Sequence, residues 1–227
     1  MRDQTKDAIQ KTKVAIIGAG FGGLAMSIRL LQSQINDFVI LEKTNDVGGT
    51  WRENQYPGAA CDVQSHMYSL SFAPKTDWSK RYAEADEIFD YIQEITTQYK
   101  LRDYCKFNHE VTNATFDENR NVWTLKFKDQ PTLEAQFVIF ASGPLHVPQI
   151  PHLKGIENFK GKVFHSSQWD HNYDLNGKSV ASIGTGGSAI QYIPEIAKDV
   201  KQLYVFQRTA AWVIPRDERK YSQLSKS

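Results

Sequence analysis

The chain has 227 residues, enough for one large hydrophobic core or two smaller ones. Hydrophobic residues make up 41% and charged residues 23%, the balance of a folded globular protein rather than a disordered one. Its 27 basic and 26 acidic residues leave a formal net charge of +1, which argues against a nucleic-acid footprint and against an acidic solvating tail.

The opening stretch MRDQTKDAIQKTK lacks the apolar centre of a secretory signal, and the longest apolar runs are strand-length, too short to span a bilayer. Cys61 and Cys105 are too few and too far apart for a disulfide framework, a zinc site or a CxxC redox pair. The expectation is a cytoplasmic protein with no membrane partner, no nucleic acid and no metal.

In chain order, residues 1–12 read as a flexible N-terminus. Residues 14–17 (VAII) are a short β-branched run that stops at Gly18, after which Leu24, Ile28 and Leu31 recur at helical spacing. Residues 38–41 (FVIL) are a second apolar run ending at Glu42, so this opening is one βαβ unit. Behind the acidic EADE, Ile88, Ile92, Ile95 and Tyr99 line one face of a helix. After the turn DENRN, Trp123, Leu125 and Phe127 alternate with polar residues as in a half-buried strand, and residues 135–143 (AQFVIFASG) read as a buried one. The three prolines of PLHVPQIP (144–151) mark a connector. Beyond it, a strand at 180–183, a helix at 187–193 and a strand at 203–206 repeat the βαβ layout. The fold class is therefore α/β: two dinucleotide-binding, Rossmann-like three-layer domains at 13–145 and 146–227, the second incomplete.

Each unit carries a glycine-rich turn between strand and helix. The first is Gly18-x-Gly20-x-x-Gly23, a pattern that permits a tight turn, close approach of a pyrophosphate and close packing of helix on sheet. Glu42 lies 24 residues beyond Gly18, where a carboxylate accepts hydrogen bonds from both ribose hydroxyls of FAD or NAD; a plain surface glutamate is the bland alternative. The second is Gly184-x-Gly186-x-x-Ala189, with Arg208 again 24 residues on. A guanidinium there grips a 2′-phosphate in two-pronged geometry, which points to NADPH, although an ordinary surface arginine is the alternative. The GKS at 177–179 imitates the end of a P-loop, but Asn172 stands where that motif needs glycine.

Two longer patterns then resemble signatures of the Baeyer–Villiger monooxygenases, within the wider flavin-containing monooxygenase family. GTWRENQYPGAACD (49–62) supplies Gly49, Trp51, Tyr56, Pro57, Gly58 and Asp62 of one; Phe159, Gly161, His165, Trp169 and Asp170 supply the other. The resemblance covers residues 14 to 216. It implies an FAD domain followed by an NADPH domain. It also implies a reaction in which NADPH reduces the flavin, O₂ forms a C4a-peroxyflavin, and one oxygen enters a small ketone or a soft heteroatom substrate.

Carried across by position, Gly18, Gly20, Phe21, Gly22, Gly23, Glu42 and Lys43 hold the ADP half of FAD. Gly49, Thr50, Trp51, Asp62 and Tyr68 line the flavin, and the Val111 backbone meets the adenine. Ala60, Cys61 and Asp62 face the nicotinamide side of NADPH, whose phosphates and ribose fall to Gly184, Thr185, Gly186, Gly187, Ser188, Arg208 and Thr209. Asp62 is the implied catalytic carboxylate, able to tune a positive partner of the peroxide anion. His165 is implied to act in conformational change, with a hydrogen-bonded core histidine as the alternative.

Family members are longer than this chain, so it is expected to be their N-terminal part. The peroxide-side arginine and most of the substrate pocket would then lie beyond Ser227, and complete turnover by this chain alone is not expected. A C-terminal half supplied in trans is one candidate partner. Ser142 also replaces a usual threonine. Two other readings stay open: an N- or S-oxygenating flavin-containing monooxygenase, which the Trp169-Asp170 ending disfavours, and a non-catalytic FAD-binding remnant.

Overall fold

A computed structural model describes residues 9–145, 147–210 and 212–222; the first eight residues of the expected flexible N-terminus lie outside them. In chain order the elements are β1 (Gln10–Ile17), α1 (Phe21–Gln32), β2 (Phe38–Leu41), α2 (Thr50–Glu53), α3 (Ala85–Gln98), β3 (Cys105–Lys106), β4 (Val111–Asp117), β5 (Val122–Phe127), β6 (Leu133–Phe140), β7 (Ser179–Ile183), α4 (Ala189–Ile196) and β8 (Gln202–Phe206). They form two compact units: 1–50 with 90–146, and 51–89 with 147–227. The division expected near residue 145 is thus joined by an earlier excursion, in which 51–89 packs with the later part of the chain.

In the first unit a six-stranded sheet runs in the order β3-β2-β1-β6-β5-β4. β1 lies parallel to both β2 and β6, with Val14 opposite Phe38 and Phe137, while β4 and β5 add an antiparallel edge. A connection between parallel neighbours needs a crossover, and α1 supplies it. All four residues of β2 are buried, as expected of a strand covered on both faces. One face carries Ala15, Val39, Leu41, Leu125, Leu133 and Ala135. On the other, Leu24 and Ile28 of α1 are fully buried, and Ile16 approaches the helix at Gly23. α1 ends where Gln34 turns left-handed, at φ 59°. β1 begins at Gln10, four residues before the apolar run that announced it, because ladder pairing to Leu133, Glu134 and Ala135 extends it through polar residues.

In the second unit β7 and β8 pair in parallel, Ile183 opposite Phe206, with α4 between them in sequence. Two strands cannot cover their own faces, so Ile183, Tyr204 and Phe206 stay more than half exposed. The segment 51–89 is held by short backbone pairings rather than by a sheet. Ala60 bridges Glu84, and Lys80 bridges Lys220. The Arg81 N–H donates to Arg219 and the Tyr221 N–H to Ser79, so residues 219–221 lie along this segment as a strap.

Candidate dinucleotide-binding sites

At the first turn the backbone explains two of the three glycines. Gly18 sits at φ +107°, and a Cβ there would lie 2.6 Å from the Ala141 carbonyl oxygen. A Cβ on Gly23 would lie 1.9 Å from the Gly18 oxygen. Gly20 differs: its φ of −85° suits any residue, and a Cβ would meet only the Gly49 Cα, at 3.6 Å. The fold itself would tolerate a methyl group at Gly20, so glycine there leaves room for a group from outside the chain, beside an N-terminus of α1 that has no side-chain cap. A Cβ on Gly22 would meet the Ala141 methyl at ordinary contact distance, and Phe21 packs on Tyr91 with ring centroids 6.0 Å apart. Gly48 donates its N–H to Ala19 at 2.9 Å, so the chain leading to Gly49 and Thr50 rests on the turn.

Glu42 is buried, 6% exposed. Its Oε2 accepts the Ala19 N–H at 2.9 Å, while Oε1 accepts the Thr44 N–H and hydroxyl, each at 2.9 Å. A carboxylate offers about four acceptor positions, so most are already filled by the chain's own donors. Lys43 beside it is exposed. Val111 opens β4 half-buried against the core, and the nearby His109 N–H donates to the Glu42 carbonyl at 2.8 Å.

In the second unit, Trp51 donates its indole N–H to the Tyr68 hydroxyl at 3.0 Å, with the rings edge-on and centroids 5.6 Å apart. Burial raises the Tyr68 hydroxyl pKa above its ordinary value; the Trp51 hydrogen bond opposes the shift, and the charges of Cys61 and Asp62 reinforce it. Asp62 itself is exposed. Cys61 is buried, which raises its thiol pKa, and its Sγ accepts the Val63 N–H at 3.4 Å. Around the isolated bridge of Ala60 to Glu84, the Ala85 N–H donates to Ala59 and the Cys61 N–H to Ala83, both at 2.9 Å.

The second turn repeats the geometry with more space. Gly184 has φ +103° and donates its N–H to Phe206 at 2.8 Å. At Gly186 and Gly187 a Cβ would meet nothing within 4 Å, so the open space faces away from the protein's own packing. Ser188 precedes α4 without capping it, and Ala189 is buried where the first unit has Gly23. Gln207 donates its amide to the Thr185 hydroxyl at 3.1 Å, which ties the end of β8 to the turn. Arg208 and Thr209 follow at that same end, both exposed.

The second signature closes on α4. Trp169 meets Phe164 edge-on and Tyr192 at a tilt, at centroid distances of 5.2 and 5.4 Å, and Tyr192 also meets Tyr56, at 6.1 Å. The Tyr192 hydroxyl reaches the buried Ser182 hydroxyl at 2.8 Å. His165 caps the turn Ser166–Gln168, its Nδ1 accepting from the Ser167 N–H at 3.2 Å. Asp170 pairs with Lys162 at 2.7 Å, and that contact holds its carboxyl below the usual range. The described residues contain no cluster of His, Cys, Asp or Glu that could hold a metal, and no helix long and apolar enough to cross a membrane.

The Flavin-binding monooxygenase-like family profile matches residues 11–222. The chain belongs to this family. A Baeyer–Villiger monooxygenase of Pseudomonas aeruginosa is 48% identical over 219 residues, covering 96% of this chain and 42% of that protein. Among solved structures, an oxidized steroid monooxygenase bound to NADP superposes with a TM-score of 0.89 at 37% identity, covering 96% of this chain and 42% of that one. OTEMO in complex with FAD and NADP gives a TM-score of 0.89 at 34% identity, covering 95% and 42%. The chain thus spans about two-fifths of the length of the relatives it matches.

Within this flavin-binding monooxygenase-like chain, three residues that the sequence did not single out organise the site segments. Gln191 holds the loop at Tyr56 and Ala60, and Tyr192 gathers Tyr56 and Trp169. Arg216 reaches the Cys61 carbonyl at 3.5 Å, lies over the Tyr82 ring at 4.9 Å and pairs with Glu218 at 3.0 Å. Their contacts with Tyr56, Ala60, Cys61 and Tyr82 bridge more than a hundred residues of sequence, beyond the reach of any local pattern.

Proposed function

We propose that this chain is the dinucleotide-binding part of an FAD- and NADPH-dependent monooxygenase of Baeyer–Villiger type, which with O₂ inserts one oxygen atom into a small ketone. One observation carries this reading: a chain of the flavin-binding monooxygenase-like family holds two glycine turns of the same layout whose reporter side chains, Glu42 and Arg208, bear opposite charge. The relatives described as Baeyer–Villiger monooxygenases, and a solved relative described with FAD and NADP, support it.

In this reading the turn at Gly18, Gly20 and Gly23 admits the FAD pyrophosphate where Gly20 leaves the backbone bare. Glu42 braces that turn and offers its remaining acceptor position to the ribose. Trp51 and Tyr68, fixed to one another, supply a rigid aromatic wall for the flavin, and the exposed Asp62 supplies negative charge beside it. The turn at 184–188 takes the NADPH pyrophosphate, and Arg208 takes the 2′-phosphate. FAD held there would supply the redox chemistry, hydride acceptance from NADPH and activation of O₂.

Titration of the purified protein with FAD tests the reading. Flavin fluorescence should be quenched, the yellow colour should survive desalting, and anaerobic NADPH should bleach it. A colourless protein that takes up no FAD overturns the proposal.

A further inference from the structure

The loop of the first signature is gripped by one side chain. Gln191, in the first turn of α4, donates its amide N–H to the Ala60 carbonyl at 2.9 Å, and its Oε1 accepts the Ala60 N–H at 3.3 Å. The same Oε1 accepts the Tyr56 hydroxyl at 3.0 Å. The neighbouring Ala59 and Cys61 pair with Ala85 and Ala83 through their backbones, so at this isolated bridge the N–H and C=O of Ala60 face the other way. The Gln191 amide therefore acts as a one-residue surrogate strand, satisfying both backbone groups that the ladder leaves out. Gly58 lies so close to α4 that a Cβ would come within 2.9 Å of the Gln191 backbone oxygen.

Gln191 is also tied to the second glycine turn. It stands three residues after Ser188, in a helix of eight residues whose N-terminus has no side-chain cap. So short a helix has little stability of its own, and its first turn is built on the glycine turn: the Ile190 N–H donates to the Gly186 carbonyl, and the Gln191 and Tyr192 N–H groups to the Ser188 carbonyl, each at 3.1 Å. A ligand that fixes the backbone of 184–188 would therefore hold the first turn of α4 in place, and with it the direction of the Gln191 side chain.

We propose that Gln191 is a positioning residue that transmits occupancy of the 184–188 turn to the loop carrying Tyr56, Ala60 and Asp62, ordering that loop when a dinucleotide binds. The inference rests on the reading of this turn as the NADPH site. By linkage, the loop and the dinucleotide stabilise one another by the same factor.

The experiment is amide hydrogen exchange at Ala60 with and without the 2′-phosphorylated form of ADP-ribose. This probe carries the pyrophosphate and 2′-phosphate but no nicotinamide ring to touch the loop directly. Calorimetry measures its affinity separately. In the unaltered protein, saturating probe should slow Ala60 exchange by a factor in the range of about 5–150, the usual span of such coupling.

In Gln191→Ala the probe should still bind, with Ala60 exchange unchanged by it. Gln191→Glu, which keeps Oε1 but sets a second oxygen against the Ala60 carbonyl, should lose the coupling as well. This variant serves if the alanine one folds poorly. Equal slowing in the variants, or no slowing in the unaltered protein despite probe binding, overturns the role of Gln191 while leaving the NADPH reading intact. Failure of the probe to bind the unaltered protein overturns both.

Discussion

The Glu42 carboxylate, buried beside the first turn, accepts the Ala19 backbone N–H at 2.9 Å. The acid that sequence reasoning reserved for a ribose is thus part of the scaffold of the turn. Replacing it by glutamine turns an acceptor into an NH₂ group, which must face either the Ala19 donor or the Thr44 donors. Glu42→Gln should destabilise the cofactor-free protein by about 1–3 kcal/mol, the cost of leaving a buried donor unmatched. That corresponds to roughly 2–4 °C of melting temperature per kcal/mol. FAD retention should fall with it. An unchanged melting temperature without FAD, alongside lost flavin, would confine Glu42 to the ribose.

The glycines divide into those the fold needs and those it does not. Gly23→Ala would force a Cβ to within 1.9 Å of the Gly18 oxygen and should prevent stable folding, read as loss of a cooperative thermal transition. Gly20→Ala and Gly186→Ala meet no backbone closer than 3.6 Å and should leave cofactor-free stability within about 0.5 kcal/mol. Gly20→Ala should nonetheless weaken FAD, and Gly186→Ala should weaken NADPH, because each methyl group occupies the line of approach to a pyrophosphate. Normal dinucleotide affinities in both variants would show that no phosphate comes close at these positions.

How much of this was legible in the sequence depended on the range of the force concerned. The runs VAII and FVIL, and the glycine turns that follow strands, are local, and β1, α1, β2, β7, α4 and β8 appear where those patterns placed them to within a few residues. β4 escaped notice because VTNATFD buries nothing fully; it is an edge strand held by pairing to β5, and polar residues dilute its alternation. α4 begins at Ala189 rather than Gly187, although its first helical bond, from the Ile190 N–H to the Gly186 carbonyl at 3.1 Å, reaches back into the glycine turn. The Trp51–Tyr68 contact joins two residues that the family resemblance had already assigned to one surface. Gln191 and Arg216 carried no such signal, because an amide in a helix and an arginine after a strand look like surface residues until the loop they hold is in place.

The two cysteines give a prediction about alkaline pH. Burial pushes the Cys105 thiol up to about 12 from 9.0, Arg102 pulling it down and the charges of Glu42 and Asp46 adding to the rise; Cys61 is also raised, chiefly by burial. Neither should form thiolate in the folded protein at pH 8, so a disulfide-exchange reagent should titrate both only after unfolding. The sign for stability follows from proton counts. Above pH 9 the unfolded chain releases protons that the folded chain keeps, so the unfolded state binds fewer and stability falls as pH rises from about 9 toward 12. Denaturant midpoints measured across that window should decline. Replacing Cys105 by serine should flatten the decline, and an identical slope in that variant would refute the assignment.

Arg208 lies two residues beyond β8, exposed and without an ion pair to any described residue, at the strand end that Gln207 ties to Thr185. An unpaired guanidinium beside an open glycine turn contributes little to the fold, since nothing in the protein neutralises it. Arg208→Ala should therefore leave the melting temperature unchanged while weakening NADPH by about 1–3 kcal/mol, the range for losing a charge-assisted contact, with NADH almost unaffected. Because a phosphate monoester takes up its second proton near pH 6, the preference of the unaltered protein for NADPH should also shrink as pH falls through about 6. Parallel titrations of both dinucleotides across that range check each part. Equal losses for NADPH and NADH in the variant, or a preference indifferent to pH, would remove the 2′-phosphate from Arg208.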